Sequence, residues 1–469
     1  MESKDQKKLH IAMFPWLAYG HLMPFLEVSK FLAQKGHQIS FISTPKNINR
    51  LRSSSFSPLI NFVELPLPAV DGLPESVEST SELPINKVPY LKKAYDLLKP
   101  SVTHFIQHSS VNWVVHDIIC YWMPRVATQL GVNSVYFNIT NASTLAFLGP
   151  PSELLGDKRR RPEDFTVVPE WVDYPSNVAF KQHEMVSHWD CMDDEVSDFQ
   201  RLAGSIQDCN FVTMRSCTEF ESDAVSLLRK IYGKPVVPLG LLPPGSAPHQ
   251  HGVANDRGDD KWEVLREWLE SKKPNSVVYI ALGTEVTLSQ ELMHELAHGI
   301  EKSGLPFIWV VNNRPLVEGV LGSDIIPLGF ETRVEDRGLV LRGWAPQLKI
   351  LGHISIGGFL THCGWSSVVE ALRFGLVLIL FSGAYSDQPL NARLMHDKRV
   401  GLEIPRDERD GSFTSDSVAE LIRRVMVEKE GESIRSNAWA MKEIFGNLEL
   451  NNTCLDEFTR VLETWPPSG

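Results

Sequence analysis

The stretch from His10 to Ser43, HIAMFPWLAYGHLMPFLEVSKFLAQKGHQISFIS, reads as strand, helix, strand. His10-Ile-Ala-Met-Phe14 is an apolar run of strand length. Leu22, Phe25, Val28 and Leu32 then share one face of a helix. Gly36 ends that helix, and His37–Ser43 is the next strand. The rhythm continues outward through strand candidates Asn112–Ile119, Ser134–Asn138 and Phe211–Met214. Alternation of this kind implies a parallel sheet with helices on both faces.

From Pro235 to Asp260, prolines and glycines crowd into a stretch without periodicity, which reads as a linker or surface loop. Afterwards the rhythm restarts with strands at Ser276–Leu282, Phe307–Val311, Leu339–Arg342, Ile356–Leu360, Leu376–Phe381 and Leu402–Pro405. Helices are expected at Ser289–Ser303, from about Ser367 and from about Pro389. The chain therefore reads as two doubly wound α/β domains, residues 1–240 and 262–469, with residues 241–261 between them. Residues 150–200 look loop-like. Open parallel sheets bind ligands at the carboxyl ends of their strands, so two facing sheets would make a cleft served by the loops that follow strands.

Composition narrows the partners. The 469 residues carry 46 lysines and arginines against 58 acids, a net charge of −12 that repels phosphate backbones and anionic membranes. The cluster Lys158-Arg159-Arg160-Arg161 runs straight into Pro162, Glu163 and Asp164 and reads as a solvated loop. Cys120, Cys191, Cys209, Cys217, Cys363 and Cys454 form no C-x-x-C pair, so neither a disulfide framework nor a structural zinc is expected. The charged opening residues and the lack of any 18-residue apolar run point to a cytoplasmic protein with no integral membrane segment. The glycosylation patterns at Asn138, Asn141 and Asn451 would then stay bare.

Familiar nucleotide motifs are missing. There is no Gly-x-Gly, so the dinucleotide fingerprint is absent, and the one Gly-Lys pair, Gly233-Lys234, is followed by proline rather than by a P-loop pattern. No G-x-S-x-G occurs either.

The sharpest information lies between Trp344 and Gln388. The strand Ile356–Leu360 runs into Thr361-His362-Cys363-Gly364, and a helix opens near Ser366-Ser367. Such a turn aims unpaired backbone N–H groups at one point, a ready anion site to which His362 and two serine hydroxyls add donors. A plainer alternative is that Ser367-Val-Val-Glu370 is only a capping box.

The tract from Trp344 to Gln388 resembles the signature box of plant secondary-product UDP-glycosyltransferases, and the likeness extends over nearly the whole chain. The resemblance implies two Rossmann-like domains in the GT-B arrangement, with the final helices packing back on the first domain. It also implies a monomer that moves a sugar from a UDP-sugar to a small acceptor, with inversion, without metal and with no cofactor beyond that co-substrate. In this scheme Trp344, with Ala345 beside it, stacks on uracil; Gln347 lies near the nucleoside and Glu370 holds the ribose hydroxyls. His362, Gly364, Ser366, Ser367 and the turn Gly283-Thr284 take the phosphates, while Trp365, Asp387 and Gln388 line the sugar. A terminal glutamine accompanies glucose in the family. Two departures stand out. Ser366 occupies a position where the family usually has Asn, and the box spans 45 residues, one more than usual. The extra residue falls within Ser382-Gly-Ala-Tyr-Ser386.

Glycosidic bond formation needs a base for the acceptor hydroxyl. His21 follows the first strand at the sheet's ligand edge, where an imidazole can take a proton near neutral pH. Asp117 ends another strand-like run and would fix the tautomer of that ring. The resemblance assigns His21 and Asp117 these catalytic roles, whereas each residue taken alone reads more simply as structural. His116 should point to the opposite face and pack. No metal is expected, and His249-Gln-His251 lies in the irregular linker. Loops 15–19, 73–89 and 140–151 are candidates for the acceptor pocket. Trp16, Tyr19, Tyr121, Trp122 and Phe147 serve either as its walls or as core, and Thr140 is placed to reach the donor sugar. Phe14–His21, Leu282–Val286 and Phe147–Ser152 look most like a branch that extends a sugar already present on a flavonoid or terpenoid glycoside. Glucose is the expected sugar, with rhamnose or xylose as alternatives. A UDP-sugar epimerase or hydrolase and a non-catalytic binding protein are the rival readings.

Overall fold

The computed structural model describes residues 8–52, 56–189, 195–244, 257–283, 288–311, 326–383 and 387–466. Among these, two fully parallel sheets organise the chain. The first contains β1 (His10–Phe14), β2 (Gln38–Ser43), β3 (Ile60–Glu64), β4 (Trp113–His116), β5 (Asn133–Asn138), β6 (Phe211–Met214) and β7 (Val236–Pro238), in the order β3-β2-β1-β4-β5-β6-β7. The second contains β8 (Val277–Ala281), β9 (Phe307–Val311), β10 (Gly338–Arg342), β11 (Ile356–Thr361), β12 (Val377–Leu380) and β13 (Gly401–Glu403), ordered β10-β9-β8-β11-β12-β13.

Both sheets wind outward in two directions from a central pair, β1/β4 in one and β8/β11 in the other. Ligand crevices open at such switch points, beyond the carboxyl ends of the strands. Helices cover both faces of each sheet, so the central strands read as continuous apolar runs. Ile11 through Phe14 and Val277 through Ile280 are at most 1% exposed. The helix Tyr19–Gln34 buries Leu22, Phe25, Val28 and Leu32, and Gly36 leaves it at φ +91°, a conformation that suits glycine.

Several expectations need correction. β3 and β7 were not foreseen, because both are edge strands. β3 alternates polar residues with apolar ones, and β7 ends on Pro238, tolerable where no further strand needs its N–H. β4 stops at His116, short of the run to Ile119. The stretch 150–200 contains helices at Pro151–Leu154, Gln182–Trp189 and, from Asp198 onward, Asp198–Gln207. The helix after β11 begins at Trp365, capped by Gly364 without a side-chain hydrogen bond, so Ser367 sits inside its first turn and is no capping residue. Of the four basic residues 158–161, Arg159 is not solvated. Its guanidinium lies over Phe147 and Phe165 at 4.7 and 4.1 Å, and burial lowers its pKa to about 10.

Much of the stretch read as a linker, together with His249, His251 and Cys191, lies outside the described residues. The chain leaves β7 through Leu241 and Leu242, whose N–H groups both donate to Asn451 Oδ1. Asn451 belongs to the last helix, Leu448–Thr464, which packs Leu455, Phe458 and Leu462 against Trp113 and Phe211 of the first sheet. The Trp113 indole N–H donates to the Leu462 carbonyl at 3.1 Å. The other five cysteines are free thiols, and no helix among the described residues is long and apolar enough to cross a membrane.

Candidate active site

The two sheets meet at the carboxyl ends of their strands. At the first switch point, β1 leads through Trp16 to the start of the helix carrying His21, and β4 ends one residue before Asp117. His21 Nδ1 and Asp117 Oδ2 are 2.7 Å apart. Asp117 is 1% exposed and is further held by the N–H groups of Trp16 at 3.0 Å and Ile118 at 2.7 Å. A carboxylate only accepts, so Nδ1 carries the ring hydrogen and Nε2 is the basic nitrogen. The His21 side chain keeps 22% exposure. That combination, a fixed tautomer on a partly accessible ring, suits a general base. His116, on the opposite face, is fully buried beside Tyr136, and burial lowers its pKa to about 4.

At the second switch point, β8 ends before Gly283 and β11 ends before His362. A Cβ on Gly283 would stand 2.8 Å from the His362 ring, and one on Gly364 would stand 2.5 Å from Nε2. Glycine at both positions lets the backbone approach the imidazole, and Gly283 also has φ +72°. Burial lowers the His362 pKa to about 4, with the Ala281 backbone opposing, so the ring is a neutral donor at pH 7. Cys363 adopts φ +68° within this turn, an unusual conformation for a residue with a side chain. Beyond it, the helix Trp365–Arg373 presents its uncapped first-turn N–H groups, including those of Ser366 and Ser367. Thr284 lies outside the described residues, as do residues 384–386 of the stretch 382–386 to which the extra box residue was assigned.

Trp344, two residues after the edge strand β10, is 65% exposed and offers a free aromatic face, with the half-buried Ala345 following it. Gln347 Nε2 donates to Glu370 Oε2 at 2.8 Å, and Tyr279 donates to Gln347 Oε1 at 3.3 Å. Burial pushes the Glu370 carboxyl up, opposed by Gln347 and by the charges of Arg215 and Arg373. The Tyr19 hydroxyl, two residues before His21, is held at a pKa of about 12 by local desolvation and then by the charges of Glu370 and Glu27, while 48% of the residue's surface stays exposed. The first turn of the His21 helix thus feels a carboxylate of the opposite lobe.

Asp387 accepts from Asn391 Nδ2 at 2.8 Å, and Gln388 Oε1 is buried with no hydrogen-bond partner among the described residues. Thr140 Oγ1 accepts from Asn138 and precedes Asn141, which reaches Asn391 across the lobes. The Trp365 ring does not line this region. Its indole N–H donates to the Arg215 carbonyl at 2.8 Å, and the ring packs near Phe220 and Phe445. Only its main chain, at the helix start, remains for a ligand. Trp16, Trp122 and Phe147 are likewise core, at 5% exposure or less, which removes them as pocket walls. Tyr19 stays exposed, and Tyr121 is half-buried against Arg201. The loop 73–89 is tied to the loop 15–19 by Thr80 N–H donating to Leu17 O at 3.1 Å.

One residue of this site escaped the sequence reading. Arg215 follows β6 and donates to Ser366 Oγ at 2.7 Å and to the carbonyls of Leu241 and Leu242. Burial lowers its pKa to about 10, which still leaves it cationic at neutral pH beside the start of the helix Trp365–Arg373. Its place directly after a strand was the signal available.

Residues 215–444 match the family described as UDP-glucoronosyl and UDP-glucosyl transferase. The chain is 48% identical to UDP-glycosyltransferase 91C1 of Arabidopsis thaliana, over 99% of this chain and 98% of the relative. It is 39% identical to Soyasaponin III rhamnosyltransferase of Glycine max, over 98% and 97% respectively. Among solved structures, Arabidopsis thaliana UGT89C1 complexed with UDP-L-rhamnose superposes with a TM-score of 0.75 at 24% identity, over 97% of this chain and 99% of that one.

Proposed function

The chain belongs to the UDP-glucoronosyl and UDP-glucosyl transferase family, and we propose that it moves glucose from UDP-glucose to a sugar hydroxyl of a flavonoid or terpenoid glycoside. Glycosyl transfer from a UDP-sugar is the activity of the family. The inverting course, the glucose, the acceptor and the residue roles are the proposal, as are a cytoplasmic setting and a monomeric state.

The observation that carries it is the pairing of His21 with Asp117 at one switch point, opposite the His362 turn at the other. In the proposed step, His21 Nε2 takes the proton of the acceptor hydroxyl. The acceptor oxygen bonds to the anomeric carbon from the face opposite UDP, and the bond to the diphosphate oxygen breaks with its electron pair leaving on UDP. Asp117 stabilises the imidazolium that forms. His362, the N–H groups of Gly364, Ser366 and Ser367, and the turn at Gly283 and Thr284 would receive the growing phosphate charge. Trp344, with Ala345 beside it, would stack on uracil, with Gln347 nearby. Glu370 would accept from the ribose hydroxyls, and such donors are what a carboxylate beside a diphosphate requires. Asp387 and Gln388, whose Oε1 has no hydrogen-bond partner among the described residues, would read the sugar hydroxyls, with the Trp365 main chain and Thr140 adjoining. No metal enters this scheme.

The likeness to Soyasaponin III rhamnosyltransferase supports a second reading of the donor as UDP-rhamnose. A mass-spectrometric screen of UDP-glucose, UDP-rhamnose and UDP-xylose against flavonoid and terpenoid glycosides and their aglycones tests both readings. Preference for aglycones over their glucosides would reject the sugar-extending role. Sugar nucleotide consumed without acceptor would indicate an epimerase or hydrolase.

A further inference from the structure

Residues 177–185 come from the part of the first domain that looked featureless in sequence, yet they pack against the second lobe. Val178, Ala179, Phe180 and Met185 join the hydrophobic core built around the second sheet. Asn177 donates from its backbone and its side chain to the Asp397 carboxylate, 2.8 Å each, at the end of the helix Gln388–Asp397. Lys181 Nζ donates to Glu403 at 2.9 Å. Glu184, 1% exposed, is the centre of the contact. Its two oxygens accept from Arg393 Nη2 at 2.7 Å each, Oε1 accepts from Ser382 Oγ at 2.7 Å, and Oε2 accepts from the Lys181 N–H at 2.7 Å.

Ser382 lies just after β12, and Arg393 lies inside the helix that begins at Gln388. Asp387 and Gln388 fall between them. One buried carboxylate of the first lobe therefore grips the chain on both sides of that pair. Arg393 is held a second time by Glu403, and the Ser382 carbonyl accepts from Arg406 at 2.9 Å. A buried carboxylate with every partner in place makes a stiff clamp, because releasing Arg393 strands a buried charge and releasing a neutral donor leaves a carboxylate oxygen short of a hydrogen bond. Hydroxyl recognition depends on placement to well under an ångström, which such support supplies.

We propose that Glu184, acting through Ser382 and Arg393, is a positioning residue that sets Asp387 and Gln388 and so governs discrimination among UDP-sugars. The proposal rests on the reading of Asp387 and Gln388 as the sugar-contacting pair. Glu184 itself touches no substrate. Since it belongs to the lobe opposite that pair, docking of the two lobes and the shape of the donor-sugar pocket are linked.

The test uses the full chain, steady-state kinetics with UDP-glucose, UDP-xylose and UDP-rhamnose, and calorimetric binding of UDP. Glu184→Gln and Ser382→Ala are expected to bind UDP within a few fold of wild type. The preference for the best donor, as a ratio of kcat/KM, should fall roughly tenfold, mainly through KM for the UDP-sugar. A purely structural role would weaken all donors and UDP alike. Ser382→Ala keeps the ion pair with Arg393 and carries the test if Glu184→Gln does not fold. Asp387→Asn is measured alongside. If it shifts the donor ratio while the folded clamp variants keep the wild-type ratio, the positioning role of Glu184 is overturned. If Asp387→Asn also leaves the ratio unmoved, the assignment of the sugar-contacting pair fails and the proposal falls with it.

Discussion

The side-chain amide of Asn141 donates to the side-chain carbonyl of Asn391 at 2.5 Å, joining residues 250 positions apart. The amide of Asn391 in turn donates to the Cys363 carbonyl at 2.9 Å and to Asp387 Oδ2 at 2.8 Å. One asparagine thus connects the first lobe, the turn after β11 and the start of the helix that follows β12. Asn141 also caps its own helix, accepting from Thr144 N–H at 2.9 Å. Asn391→Ala would leave two buried groups unpaired, each costing about 1–3 kcal/mol. A fall of several degrees in the thermal midpoint is expected, and an unchanged midpoint would mean that the contact between the lobes carries no stability.

His21→Ala should lower turnover by roughly 10²–10⁴, the usual worth of a positioned base, while leaving UDP affinity within a few fold. Asp117→Asn should lose rate in the same sense, because an amide cannot hold the ring tautomer as a carboxylate does. Substantial turnover retained by His21→Ala would remove His21 from the mechanism.

Treatment with EDTA should leave activity unchanged, since the proposed scheme neutralises the leaving diphosphate with a helix start and neutral donors. Loss of activity that Mg²⁺ or Mn²⁺ restores would contradict it.

Gly283→Ala would place a Cβ 2.8 Å from the His362 ring on a backbone at φ +72°. The conformational penalty alone is about 1–2 kcal/mol, enough for roughly a tenfold rise in KM for the UDP-sugar if the turn shifts to relieve it. Isothermal titration with UDP checks this directly, and unaltered affinity would place the nucleotide away from the Gly283 turn.

Stability should rise with pH between about 4 and 6.5. His116 and His362 have folded pKa values of about 4, against 6.5 for the free side chain, chiefly through burial. The unfolded chain therefore binds more protons in this window, so acid favours unfolding, and the contribution is fully present above 6.5. Thermal midpoints should change little from pH 7.5 to about 6.5 and fall from there to pH 5, and a flat profile down to pH 5 would be inconsistent with buried neutral histidines.

Much of the framework was legible before any coordinates. β1, the helix after it and β2 stood out because a strand buried on both faces must be apolar throughout, while a covering helix must be apolar on one side. The edge strands β3 and β7 did not, since one open edge relaxes that demand and admits polar residues and proline. The strand–turn–helix order after β11 was legible in the sequence, and it is that order which suggests an anion site there. The side chain of Trp365 was misread, because nothing local indicates that the Arg215 carbonyl lies within reach of its indole.

The alternation of the central strands and helices and the strand–turn–helix order after β11 followed from the amino-acid pattern, because burial periodicity and chain reversal are local properties, whereas the strand order and the two switch points came from the structure. Only the tertiary structure decided which polar side chains meet across the lobes: Arg215 with Ser366, Asn141 with Asn391, and Glu184 with Ser382 and Arg393. Those pairings join positions 150 or more residues apart. A polar residue carries no periodic mark of its partner, and it finds that partner only when the packing of two cores brings both out of water.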